Sequence, residues 1–307
     1  YGKGCYVLEK GDYVISINAD SHTVLDSKVY NVASDIVYDA SNKRESDVEV
    51  ADNKFDFAEG NVTYLSRADG FANYAEATAA PADFELPAEA KATFYNNSNW
   101  NPEDFNNADD VAPTTGAKNG LKLKDMVGVD YNDAQWDTFL DQLTVSDMDS
   151  LIALGGYQSV AVSSIGKVQA IDCDGPASIN NNFRSAFAGR NFEYYSEDGV
   201  LSGAMAANAI MGSQEQGVYA FMKHFALNDQ ETNRCGMLCT WSNEQAIREI
   251  YLKPFEISVK DADCHAVMSS FNYIGTRWTG GCKELLKNVL RGEWGFRGMV
   301  ITDGFHF

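Results

Sequence analysis

The distribution of hydrophobic and polar positions divides this 307-residue chain into three textures. Over residues 1 to about 35 apolar and polar residues alternate. Tyr13, Ile15 and Ile17 share one side of a run opened by the turn-forming Lys10-Gly11-Asp12, which predicts strands. From about 36 to 120 the periodicity fades into Ala, Asn and Asp, with four of the six prolines, which predicts an irregular connecting or wrapping segment. Its aromatics (Phe55, Phe57, Tyr64, Phe71, Tyr74, Phe84) predict that it packs on a surface. From 121 onward helical and strand patterns alternate. Trp136, Phe139, Leu140 and Leu143 recur at the i, i+3, i+4, i+7 spacing of one helical face. A second helix is expected from near Ser146 to the terminator Gly155-Gly156. Strands Val168–Ile171, Val218–Met222, Ala266–Ser270 and Met299–Thr302 are then spaced by helices over 200–215, 243–260 and 281–291.

A strand–helix rhythm implies parallel strands joined by helical crossovers, hence an α/β fold, of which the (β/α)8 TIM-type barrel is one form. Polar residues sit at telling places in it: Asp174, Lys223, His224, Asn272 and Asp303 fall at or just past the C-terminal ends of the expected strands. In such a barrel those ends form the active-site face. One charged residue after a strand is as readily a helix N-cap. Four strands doing the same favour a cleft.

Charge narrows the partners. The chain carries 44 Asp and Glu against 24 Lys and Arg, a formal net charge of −20. The first 120 residues hold 21 acidic and 9 basic groups, so the excess marks the polar connecting region. Nucleic acid and anionic membrane surfaces need a basic face to displace counterions, and are excluded as partners. No run approaches the ~20 apolar residues of a membrane span. The six cysteines are scattered, and Cys235-x3-Cys239 lacks the ligand spacing of a zinc site, so free thiols and no metal are expected. The sequons at Asn61 and Asn96 are weak signals.

Five segments carry a resemblance. Gly189-Arg-Asn-Phe-Glu-Tyr-Tyr-Ser-Glu-Asp198 resembles the arginine-bearing segment of family 3 glycoside hydrolases. Lys223-His-Phe-Ala-Leu-Asn-Asp-Gln-Glu-Thr-Asn-Arg234 resembles their Lys-His motif, and Arg248–Phe255 the helix that follows. Val267-Met-Ser-Ser-Phe-Asn272 and Trp294-Gly-Phe-Arg-Gly-Met-Val-Ile-Thr-Asp303 complete the set in the family's order. The resemblance covers roughly residues 121 to 307. It implies a retaining, exo-acting β-glucosidase with Asp303 as the catalytic nucleophile. Asp174, Arg190, Lys223, His224 and Phe271 are implied as substrate-binding, and the Lys-His peptide is often cis in the family. The implied substrate is a small β-glucoside or oligosaccharide. No cofactor is implied, since two carboxyl groups and water suffice. A homo-oligomer and the compartment stay open.

Departures from the pattern are informative. Phe271 stands where many members have Tyr, and Gly304 where a Trp is common; Phe305 or Phe307 is weighed as a substitute wall and read as core. Glu231 is read as orienting Lys223 or Arg234, and His22, His265 and His306 as ordinary histidines. Phe183 runs straight into Arg184 where the family has a further strand–helix unit. The sequence is therefore expected to be part of a longer polypeptide with a gap at 183/184. Residues 1–35 resemble the end of a fibronectin type III-like domain, 36–120 a linker, and 121–307 a partial barrel. That is the reversed domain order, which would put the acid/base Glu upstream of Tyr1. A β-N-acetylglucosaminidase is disfavoured because Ala226-Leu-Asn-Asp-Gln-Glu replaces the Pro-Gly-His-Gly of that branch. β-Xylosidase, α-arabinofuranosidase and an inactive carbohydrate-binding protein remain alternatives.

Overall fold

In the computed structural model, residues 3–20, 22–66, 69–80, 85–94, 101–155, 158–171 and 193–304 are described. Asp174, Arg190, the 183/184 junction, Cys173, Phe84, Asn96, Phe305, His306 and Phe307 lie outside them. Two compact units emerge, one from residues 1–95 and 185–303, the other from 96–184.

The first unit opens on β1 (Tyr6–Leu8), β2 (Gly11–Asn18), β3 (Val24–Val32) and β4 (Ile36–Tyr38). β2 and β3 form a long antiparallel hairpin, Tyr13 facing Tyr30 and Ile15 facing Lys28, while β1 pairs with β4. Asp20 Oδ1 closes the turn by accepting from the His22 and Thr23 amides at 2.8 and 2.7 Å. The alternation of Tyr13, Ile15 and Ile17 is thus a strand, as expected.

The chain from 39 to 94 has little regular structure beyond α1 (Tyr74–Ala77) and α2 (Ala88–Ala92). Its aromatics divide. Phe55 is fully buried and Phe57 packs beside it, but Tyr64, Phe71 and Tyr74 are exposed, so only the first part of the segment wraps. Charge does the rest of the tying down. Glu244 Oε2 accepts from the Phe55 amide at 2.6 Å, and Arg44 Nη2 reaches Glu256 Oε1 at 2.7 Å.

The second unit contains α3 (Gln135–Leu140), α4 (Val145–Ala153), β5 (Gln158–Ser159) and β6 (Ala170–Ile171) around Met126, Phe139, Val162 and Ile165. Trp136, Phe139 and Leu143 pack there, but Leu140 is half exposed and α3 stops before Leu143. The buried Gln142 amide ends the helix, its Nε2 donating back to the Phe139 carbonyl at 3.1 Å. Thr144 caps α4 with a reciprocal Asp147 bond. The expected strand Val168–Ile171 shrinks to Ala170–Ile171 and pairs antiparallel with β5, both Val168 and Ile171 being exposed. Its partner among the described residues is the segment just before it, because the Gly166 turn folds the chain back.

Back in the first unit, α5 (Gly199–Glu215) leads into β7 (Phe221–Phe225). Asp198 caps α5, accepting from the Val200 and Leu201 amides at 2.8 Å each. Then come β8 (Cys239–Thr240), α6 (Glu244–Ala246), a π-helical turn (Ile247–Tyr251) and α7 (Lys253–Ala262). The single helix expected over 243–260 is broken here, with Pro254 in the first turn of α7, where its missing amide costs nothing. α5 lies against α7 through Gly203; a Cβ there would come within 2.8 Å of Ile257. β9 (Ala266–Ser269), β10 (Tyr273–Ile274), β11 (Arg277–Trp278), a π-helical stretch (Glu284–Glu293) and β12 (Met299–Ile301) follow.

β7, β9 and β12 form a parallel sheet in chain order, while in a smaller sheet β10 runs parallel to β8 and antiparallel to β11. Phe225, Leu252, Val267, Leu285, Val289, Leu290 and Trp294 fill the core between sheet and helices. Gly298 admits β12 beside β9: a Cβ would stand 2.0 Å from the His265 carbonyl oxygen. Among the described residues no helix is long and apolar enough to cross a membrane.

Candidate active site

A cluster of polar and charged residues gathers at the C-terminal ends of the three parallel strands. β7 begins three residues later than the sequence pattern suggests, so Lys223 and His224 lie inside the strand rather than past it. Met222 pairs with Val267 and Phe225 with Ser269, leaving Lys223 and His224 opposite Met268 alone. A bulge of this kind re-aims the side chains it carries. The Lys223–His224 peptide is cis, as the family resemblance implied, and so is Phe225–Ala226.

Asp303 stands two residues beyond β12. Its Oδ2 lies 3.3 Å from Arg234 Nη1 and 3.6 Å from His224 Nε2, with 14% of the side chain exposed. The guanidinium is a permanent cation, so the carboxylate has a fixed opposite charge beside it. Arg234 is itself held. Glu231 Oε1 accepts from its Nε at 2.8 Å, and its guanidinium carbon sits 4.9 Å from the centre of the Phe271 ring. Glu231 therefore orients Arg234, one of the two roles read from the sequence. Phe271 contributes a face for Arg234 rather than the hydroxyl a Tyr would bring.

Lys223 Nζ is 3.2 Å from Glu193 Oε2, and His224 Nδ1 is 2.9 Å from the Tyr194 hydroxyl. Asn272 is wholly buried: its Nδ2 donates to the Ala226 and Leu227 carbonyls at 3.1 Å each, so it anchors the turn after β7. Burial pushes the nearby Asp229 carboxyl above its usual range.

Lys223, His224, Phe271 and Asp303 are thus brought together, while Asp174 and Arg190 fall outside the described residues. Three residues at the site were not singled out from sequence: Arg234, Glu193 and Tyr194. All three lie within the two motif segments quoted for the resemblance. Their signal was membership in those segments, and which neighbour each would meet was not readable from it. The thiols are free among the described residues, with Cys264 and Cys282 buried and Cys235 exposed.

Parallel strands, helical crossovers and a polar cluster at the strand ends fit an α/β barrel-type domain, with the Asp303 carboxylate at the tip of one strand. Residues 177–307 match the glycosyl hydrolase family 3 N-terminal domain. It is 49% identical over 125 residues to a β-glucosidase of Rhizobium radiobacter and 46% over 127 residues to β-glucosidase A of Butyrivibrio fibrisolvens. Each match covers 41% of this chain and spans 15% of the relative's length. The fold is also similar to that of a solved β-glucosidase from Paenibacillus barengoltzii, with a TM-score of 0.58 and 22% identity, covering 98% of this chain and 37% of the other.

Proposed function

We propose that the protein is a retaining glycosidase that removes terminal, non-reducing β-D-glucosyl residues, with Asp303 as nucleophile. The observation that carries the reading is the pairing of the Asp303 carboxylate with Arg234 and His224 at the ends of parallel strands. A carboxylate so placed attacks the anomeric carbon while a second carboxyl protonates the departing glycosidic oxygen. The resulting glycosyl ester is then hydrolysed by water, which the second carboxyl deprotonates. Lys223 and His224 are donor-rich and suit the sugar's hydroxyls, as do Asp174 and Arg190 on the strength of the resemblance. The stacked Arg234 offsets negative charge at the reacting face. The glucoside preference is supported by the names of the relatives that share this segment.

No residue of this chain is assigned as the acid/base. Residues 1–35 are proposed as the end of a fibronectin type III-like domain that precedes the barrel segment. The test uses the full-length protein on aryl β-glucoside, β-xyloside and β-N-acetylglucosaminide. Hydrolysis of the glucoside is expected to dominate, and Asp303→Asn is expected to abolish turnover while glucose still binds. Undiminished hydrolysis by Asp303→Asn would reject the nucleophile.

A further inference from the structure

The Lys223-His224 pair is gripped by a second dipeptide. Glu193 Oε2 meets Lys223 Nζ at 3.2 Å, the two side chains being 7% and 13% exposed. The next residue, Tyr194, sets its hydroxyl 2.9 Å from His224 Nδ1, with ring centroids 6.3 Å apart. Successive side chains of a regular strand point to opposite faces. The bulge at 223–224 is what allows two adjacent residues of β7 to be met by two adjacent residues of one segment.

The His224 ring lies between a hydroxyl and a carboxylate. Nδ1 faces Tyr194, and Nε2 faces Asp303 Oδ2 at 3.6 Å. A neutral imidazole has one N–H to place. With the proton on Nδ1, the Nε2 lone pair would confront the Asp303 carboxylate, lone pair against negative charge. With the proton on Nε2, the ring donates toward Asp303 and toward a sugar hydroxyl bound beside it, and Nδ1 accepts from the tyrosine. The partner of one ring nitrogen fixes the tautomer at the other.

We propose that Tyr194 and Glu193 are positioning residues. Tyr194 donates its hydroxyl proton to His224 Nδ1 and so holds the Nε2–H tautomer toward the reacting face. Glu193 fixes the Lys223 ammonium on that same face. The catalytic consequence rests on the glycosidase reading; the tautomer does not.

The experiment has two arms on the full-length protein near neutral pH. In the first, side-chain 15N–1H correlation spectra read the histidine rings, with His224→Gln identifying the signal. The wild-type ring is expected to carry its proton on Nε2 alone, and Tyr194→Phe to shift the signal toward a mixture of tautomers. In the second, Tyr194→Phe and Glu193→Gln are each expected to lower kcat per folded molecule on aryl β-glucoside about tenfold, the melting temperature being unchanged in Tyr194→Phe and lowered in Glu193→Gln. Glu193→Asp is expected to recover part of the loss, which a purely structural role would not predict. A wild-type ring protonated on Nδ1, or on both nitrogens, overturns the Tyr194 assignment, as does a Tyr194→Phe spectrum and kcat matching wild type. Wild-type kcat in Glu193→Gln overturns the Glu193 assignment. If the parent protein hydrolyses none of the glycosides, the glycosidase reading fails, and the spectra alone decide Tyr194.

Discussion

Two clusters of arginine–carboxylate pairs in the same unit look alike in sequence and differ in kind. Beneath the helices, Arg248 donates to Glu293 with Nη1 and Nη2 at 2.7 and 3.0 Å, to Glu244 with Nε at 2.5 Å, and to the Asp52 carbonyl at 2.7 Å. Beside it Arg44, Lys253 and Lys260 converge on Glu256, and Lys260 and Arg44 also hold Asp47. Members of this cluster come from both ends of the unit, so it fastens the 44–58 segment to the helical layer. At the strand ends, Arg234 meets Asp303 through one nitrogen at 3.3 Å, and His224 approaches the same oxygen at 3.6 Å. In the first cluster the bonds are short, Arg248 grips Glu293 with two nitrogens, and the carboxylates of Glu244, Glu256, Glu293 and Asp47 are buried. The second is longer and single-toothed, and it is where the proposed reading places the sugar. Charge pairs thus divide by how completely they are consumed by one another.

The largest expected effect breaks the first cluster. Arg248→Met leaves Glu293 and Glu244 buried without their partner, and is expected to cost about 3–5 kcal/mol, read as a lowered urea midpoint. Its kcat per folded molecule should be unchanged. A drop in kcat without a loss of stability would erase the distinction drawn between the clusters.

Acid probes the same cluster from another side. Burial alone would raise the Glu256 carboxyl, but the Lys260 hydrogen bond and the charges of Arg44 and Lys253 hold it at about 2. A carboxyl depressed on folding stabilises the protein above its unfolded value of 4.5, and that stability is lost as pH falls toward 2. The full contribution is about 3 kcal/mol. Glu293 runs the other way, its carboxyl raised by burial, so it offsets part of the loss. Melting temperatures followed from pH 5 to pH 2 should fall steeply in wild type, and less steeply in Glu256→Gln. Parallel curves would remove Glu256 from the account.

The smallest expected free-energy change sharpens the second cluster. Arg234→Gln is expected to lower kcat/KM on aryl β-glucoside about a hundredfold, roughly 2.7 kcal/mol, with stability within ~1 kcal/mol of wild type. Destabilisation as large as that of Arg248→Met would class Arg234 as structural.

Much of this was legible beforehand. The strand through Tyr13, Ile15 and Ile17 followed from their alternation, and α5, β9 and β12 fell within a residue or two of their expected bounds. Asp303, Lys223 and His224 were flagged by lying at strand ends. The strand near Val168 was misjudged, because four apolar-leaning residues carry no information about which segment will pair with them. The helix over 243–260 was drawn unbroken, since the π-helical turn before Pro254 has no hydrophobic period of its own. The roles of Glu193 and Tyr194 were invisible, because sequence neighbours do not reveal which distant dipeptide they will face.

The sequence by itself determined the local periods, the order of strands and helices, and the family model that residues 177–307 match. These depend on side-chain spacing and on residue identity, both written along the chain. Only the tertiary structure decided that Arg234 leans on Phe271 to reach Asp303, that a bulge lets the 193–194 dipeptide grip the 223–224 dipeptide, and that Asn272 anchors the turn after β7. Those facts are distances between residues tens of positions apart. They are set by how strands register and helices pack, which no local pattern records.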